Sequence, residues 1–211
     1  MDVKPASERT RVRRLPKRGA YDARTIAGIL DAGFVCSVGI VRDGAPMVIP
    51  MLYWREDDRV YLHGSQDSRL LSALCDSEAC VTVMHFDGVV LARSAFHHSV
   101  NYRSVAIVGR PEPVTDAAEK ERVLRAFVER LVPNRWNALR PVTQKELALT
   151  RIVRMPLNEA SAKVRTGPPV DDPGDLSWPC WAGVIPVTLV AGKPLPEPSA
   201  EGFEAPSLSL D

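Results

Sequence analysis

Apolar residues at Ile26, Ile29 and Leu30 recur with helical spacing, and Gly33 stands where such a helix would stop, so the pattern predicts a helix over Ala23–Asp31. Three segments rich in β-branched and aromatic residues follow: Phe34–Val41, Pro46–Trp54 and Arg59–His63. Turn residues Arg42-Asp43-Gly44 and Arg55-Glu56-Asp57-Asp58 separate them, which predicts an antiparallel meander. A helix from Ser65 to about Asp76 buries Leu70, Leu71 and Leu74. Strand Ala79–Phe86, a turn at Asp87-Gly88 and strand Val89–Ser94 then predict a further hairpin. Tyr102–Val114 resumes strand character, and Pro111 and Pro113 place its end at a sheet edge. Asp116–Leu131 reads as a helix with Val123, Phe127 and Leu131 on one face and Glu121 paired with Arg125 at i,i+4. A short helix near Thr143–Ala148 and strands Leu149–Met155 and Ser161–Arg165 complete the pattern. Six or seven antiparallel strands with helices inserted between them predict a mainly β fold that closes wholly or partly into a barrel, since closure removes exposed edges.

Composition changes this picture at the two ends. Nine of the 18 prolines fall in residues 168–211, which predicts an extended segment lying over the surface or a partner. Residues 1–18 hold seven Lys/Arg against two acids, and residues 168–211 hold one Lys against seven acids. The chain therefore divides into a basic N-terminal arm (1–18), one domain (19–190) and an acidic, Pro-rich mobile tail (191–211). The opposite charges could meet across a dimer. Nucleic acid is not an expected partner, because no aromatic residues interleave with the basic run and the net charge is only +1. No stretch approaches the roughly 18 apolar residues of a membrane helix, and no signal-peptide layout opens the chain, so a cytoplasmic protein is expected. Cys36, Cys75, Cys80 and Cys180 lack CxxC spacing and read as buried thiols. The four histidines are irregularly spaced and do not read as a metal site.

The candidate chemistry centres on residues 61–69. A strand running into a helix at Ser65-Gln66-Asp67-Ser68-Arg69 offers unpaired backbone N–H groups, two hydroxyls and a guanidinium to a phosphate, with Gly64 allowing close approach. Ser65 is equally an ordinary helix cap and Arg69 an ordinary surface charge.

MVIPMLY (47–53), YLHGSQDSR (61–69), ARSAFHHSVNYRSV (92–105), ASAKVRTGPPVDD (160–172) and WAGVIP (181–186) together resemble the pyridoxamine 5′-phosphate oxidase-like flavin-binding split-barrel proteins. Within them the chain is most similar to the branch of the nitroimidazole-resistance reductases. The resemblance implies an antiparallel FMN-binding split barrel forming a homodimer, with FMN at the subunit interface. It also implies oxidoreductase chemistry on a small organic molecule (a nitroaromatic, quinone or pyridoxal-like compound) with electrons from NADH or NADPH. Carried over by position, Val48, Ile49, Pro50 and Met51 line the flavin ring, and His63, Gly64, Ser65, Ser68 and Arg69 surround the phosphate. Asn101, Tyr102, Lys163, Arg165, Trp178 and Trp181 close the pocket, some from the second subunit. His63 and Arg165 are the candidate catalytic groups. The strand 47–54 is uncharged and residue 70 is Leu, where pyridoxamine phosphate oxidases proper carry additional basic residues. That argues against pyridoxamine phosphate as substrate and leaves FAD, a deazaflavin or haem open as cofactors, and a carrier without turnover open as a function.

Overall fold

The structure is a computed structural model and describes residues 3–208. The chain runs β1 (Gly19–Ala20), α1 (Ala23–Asp31), β2 (Val35–Arg42), β3 (Ala45–Glu56), β4 (Arg59–Ser65), α2 (Arg69–Asp76) and β5 (Ala79–Leu91). It continues through β6 (Ser99–Gly109), β7 (Glu112–Val114), α3 (Ala117–Leu131), α4 (Gln144–Leu149), β8 (Thr150–Pro156), β9 (Ala160–Arg165) and β10 (Gly183–Pro186). Hydrogen bonding links the strands in the order β1-β9-β6-β5-β2-β3-β4-β8-β7, with β10 added to β5, and every pair is antiparallel. The path does not close on itself. The mainly β, antiparallel split-barrel class expected from the sequence is thus found, with ten strands among the described residues in place of six or seven.

Strand β3 explains the split. Its residues Ala45–Leu52 pair with β2, whereas Tyr53–Glu56 pair with β4. Both faces of the strand are covered at the changeover, where the adjacent Tyr53 and Trp54 are each fully buried. Tyr53 enters the larger core with Leu30, Val38, Leu62, Leu71 and Ile107. Trp54 enters a second core under α3, with Tyr61, Val114, Val123 and Ile152.

Helix α1 forms where the spacing places it. Asp22 caps it by accepting the Thr25 N–H at 2.8 Å, and Ile26, Ile29 and Leu30 are buried. Its C-terminal carbonyls are served by tertiary donors. The Arg130 guanidinium of α3 donates to Leu30 O, Asp31 O and Gly33 O at 3.1, 2.7 and 2.7 Å, and the Tyr53 hydroxyl also donates to Leu30 O. Gly33 is not a left-handed cap. A Cβ there would lie 2.5 Å from the His85 ring, which hydrogen-bonds Ile29 O at 2.8 Å, so this glycine admits the histidine to the helix end.

Several expectations are corrected. No hairpin forms at Asp87-Gly88: β5 runs through with a bulge, and a Cβ on Gly88 would meet Ile185 O of β10 at 2.8 Å. The strand expected over Tyr102–Val114 is two strands broken at Arg110-Pro111. The helix expected from Ser65 starts at Arg69, because β4 stays paired with β8 as far as Ser65↔Thr150. Cys180 is exposed, whereas Cys36 is buried and its thiol is pushed up to about 12 by burial. The arm lies on its own chain, with Arg9 paired to Glu78 and the Ser7 hydroxyl bonded to Glu159. The mobile tail expected over 191–211 falls partly on residues 209–211, which lie outside the described residues. No helix of the described residues is long and apolar enough to cross a membrane.

Candidate functional site

The β3–β4 ladder ends at Tyr53↔Leu62. Continued in the same register it would set Met51 opposite Gly64 and Pro50 opposite Ser65, but β3 turns to β2 there and the two strands part. The predicted ring wall (Val48–Met51) and the predicted phosphate turn (Gly64–Arg69) therefore follow the point at which the β3–β4 pairing ends. Along the wall side chains alternate: Val48 is 66% exposed and Pro50 is exposed, while Ile49 and Met51 pack on the core. Only Val48 and Pro50 offer side chains outward; Ile49 and Met51 offer backbone.

The phosphate turn is built differently from its sequence reading. Ser68, not Ser65, caps α2 by accepting the Leu71 N–H at 3.3 Å. Ser65 Oγ accepts the Asp67 N–H at 3.2 Å, and Ser65 O accepts the Ser68 N–H at 3.0 Å. Both hydroxyls thus shape the turn. Gly64 serves packing, since a Cβ there would lie 3.0 Å from Leu71 Cδ1. The first helical N–H groups, at Arg69 and Leu70, have no intrahelical partner. The exposed Arg69 side chain enters no ion pair among the described residues.

His63 is placed away from this turn. Its ring packs in the second core, 5.7 Å from the Trp54 ring and 4.9 Å from Phe127, and Nδ1 is buried without a partner. Burial pushes its pKa below the ordinary 6.5. The fold thus favours the neutral ring, whereas the unfolded chain protonates as pH drops below 6.5. Stability is then untouched above that value and falls as pH moves from 6.5 towards the lower folded value. Chemical denaturation between about pH 7 and 5 should show this loss, and His63→Phe should flatten it; an unchanged slope in the variant would assign the loss to another group.

Of the residues expected to close the pocket, Asn101 and Arg165 form a separate cluster. Asn101 and Arg165 are both 8% exposed, and the guanidinium donates to Asn101 Oδ1, to Gly167 O at 3.3 Å and to Pro168 O at 3.2 Å. Asn101 Nδ2 also donates to Gly167 O. Burial and then the charge of Arg18 push the Arg165 pKa below its ordinary value. Arg165 here fastens the turn after β9. Tyr102 is its register partner, and Lys163 lies between β1 and β6, its carbonyl accepting from the Ser104 hydroxyl at 3.1 Å. Trp178 and Trp181 are 66% and 63% exposed, with the Trp181 ring against Gly183.

Two features escaped the sequence reading. Strand β10 occupies the part of the β5 edge that β2 leaves free, at Gly88–Leu91. The loop before β6 is tied to the segment after β9, since Asp171, its carboxylate almost fully buried, accepts from Arg93 N and the Arg93 guanidinium at 2.7 and 2.8 Å. The Arg93 N–H, ahead of the guanidinium, holds that carboxyl below its usual range. A lone Arg and Asp 78 positions apart carry no sequence signal of pairing.

Residues 22–164 match the family model described as pyridoxamine 5′-phosphate oxidase. Among curated proteins nothing matches the chain. Among solved structures, the flavocytochrome Anf3 from Azotobacter vinelandii is 44% identical, covering 96% of this chain and 95% of its own, with a TM-score of 0.92. The FAD and haem binding protein from Mycobacterium smegmatis is 35% identical over 90% of this chain and 94% of its own, with a TM-score of 0.86. A 5-nitroimidazole antibiotic resistance protein from Bacteroides thetaiotaomicron, 22% identical over 69% of this chain and 86% of its own (TM-score 0.57), shares the fold. With its antiparallel strand order and a family match over residues 22–164, the chain belongs to the pyridoxamine 5′-phosphate oxidase family.

Proposed function

We propose that the protein is an oxidoreductase that binds a flavin, FAD in preference to the FMN expected from sequence, at the β3–β4 opening, with haem as a second redox group. The observation that carries this reading is full-length similarity to a flavocytochrome and to an FAD and haem binding protein, at 44% and 35% identity. A flavin, when bound, supplies one- and two-electron transfer. This chain's own residues hold and shield it: Val48 and Pro50 face the ring and Arg69 with the α2 N-terminus faces a phosphate. Electrons come from NADH or NADPH and pass to a small organic molecule.

The second wall of the site comes from another copy of the chain. Val35, Val41, Val48, Leu52, Met84 and Phe86 are between 41% and 66% exposed and lie on the adjacent strands β2, β3 and β5, an apolar face that a homodimer would bury. Sedimentation should give a mass near twice 23.2 kDa, and a monomer that binds flavin with full affinity overturns the dimer.

The absorbance spectrum tests the cofactors. Bands near about 370 and 450 nm are expected for flavin and a strong band near about 400 nm for haem. Mass spectrometry of the released flavin separates FAD from FMN. Bleaching of the flavin band by NADH or NADPH and its return with a nitroaromatic or quinone supports turnover; a flavin that neither bleaches nor returns makes the protein a carrier. A colourless protein that takes up no flavin overturns the reading.

A further inference from the structure

The segment after β10 touches almost nothing of its own chain. From Val187 to Leu208 every residue is exposed except Ala200, which is half-buried. Leu189, Leu195 and Phe203 stand 78%, 91% and 80% exposed. The Val187 N–H donates to Asp87 O at 3.1 Å; beyond it, the segment's hydrogen bonds among the described residues lie within 197–203. Large apolar side chains left in water are unfavourable, so such a segment is built to be covered. Pro194, Pro196 and Pro198 hold it extended, which lowers the chain entropy lost when it docks.

The seat is on the sheet. Directly paired residues share a face, and the pairs Lys163↔Ser104↔Met84 and Arg165↔Tyr102↔Phe86 put two cations on the face that carries exposed Met84 and Phe86. Arg18, just before β1, stands near enough for its charge to act on Arg165. None of Arg18, Lys163 and Arg165 enters an ion pair among the described residues, and the Arg165 guanidinium is bonded to neutral acceptors. This cationic edge lacks a counter-charge, whereas the exposed segment carries Glu197, Glu201 and Glu204 against the single Lys193. The segment also starts on the same face, since Val187 and Leu189 line one cavity with Met84 and Phe86. Its reach is sufficient: residues 187–204 extend roughly 50 Å at about 3.1 Å each. The five strands from β9 to β3 span roughly 20 Å at about 4.8 Å apart. We infer that residues 187–208 of one copy lie across this sheet face of a second copy, with Leu189, Leu195 and Phe203 buried against it and the three glutamates at the edge formed by Arg18, Lys163 and Arg165. The inference rests on the homodimer part of the proposed function.

Photo-cross-linking of the full chain tests it. Leu195, being exposed, is replaced by p-benzoylphenylalanine and the sample is irradiated. A covalent species near twice 23.2 kDa is expected on a denaturing gel, with the attachment mapped by mass spectrometry to the β1, β6 or β9 region of the other copy. In a second measurement, reversing Glu197, Glu201 and Glu204 together to Lys should weaken self-association at least about tenfold at low salt. Adding Arg18→Glu and Lys163→Glu to that variant should recover most of the loss, and circular dichroism reports that each variant is folded. A sample that sediments as a dimer but cross-links only within one chain, or not at all, overturns the inference and leaves the dimer standing. So does a triple reversal that associates like wild type, or one that the compensating changes do not rescue. A wild type that stays monomeric overturns both the inference and the dimer.

Discussion

Arg69→Ala is expected to weaken flavin binding about ten- to a hundredfold while leaving folding nearly unchanged, because a charge-assisted contact to phosphate contributes roughly 1.5–3 kcal/mol. The Ser65 and Ser68 hydroxyls are engaged within the turn, so the groups left to meet a phosphate are the Arg69 guanidinium and the N–H groups at the start of α2. Arg69 is exposed, and its loss removes no ion pair among the described residues. An exposed helix charge without a ligand would cost well under about 1 kcal/mol. Titrating FAD or FMN against riboflavin separates the two cases. Wild type should prefer the phosphorylated forms, and the variant should lose most of that preference, since riboflavin has no phosphate to hold. Equal preference in both proteins would place the phosphate elsewhere.

The helices were legible because each carries local signals that tertiary contacts reinforce. Asp22, Asp116 and Thr143 each accept the N–H three residues on, and the apolar spacing behind each cap faces a core. Ser65 and Ser68 show where local signals fail to decide. Both suit a helix cap, and the choice falls on Ser68 because the β4–β8 ladder holds Ser65 in strand. Asp87-Gly88 misleads for a related reason. It has turn chemistry, yet the glycine is there because the β10 backbone passes where a Cβ would sit, and β10 is four residues in a Pro-rich segment with no periodicity of its own.

Of the candidate site, motif positions placed Pro50 and the Gly64–Arg69 turn on β3 and at the end of β4, beyond the last β3–β4 pair. Side-chain direction was not readable from motifs. His63 sits one residue from the turn in sequence, but Tyr61 and His63 share the strand face that packs under α3, so its ring meets Trp54 and Phe127. Arg165 was carried over as a pocket-closing residue and candidate catalytic group, and its position in the motif gave no sign that its guanidinium would bind Asn101 and the carbonyls of Gly167 and Pro168.

The largest effect on stability is expected at Trp54. It is fully buried where β3 changes partner, stacked on Tyr61 at 5.4 Å and in contact with Phe127 of α3 at 5.0 Å between ring centroids. Trp54→Ala should cost about 3–5 kcal/mol, the lost apolar transfer together with the cavity left between sheet and helix. Against a typical total of about 5–15 kcal/mol that is a large share, and urea unfolding at fixed protein concentration should show it as a lower midpoint. Trp54→Phe should cost far less, under about 1.5 kcal/mol, because it keeps an aromatic ring on Tyr61 and removes the indole Nε1, which is buried without an acceptor. The same cavity should admit water to His63, whose depressed pKa comes from burial, so NMR titration of Trp54→Ala should find that pKa moved back up towards 6.5. Equal costs for the Ala and Phe variants, or a His63 titration that does not move, would mean that α3 is not seated on Trp54.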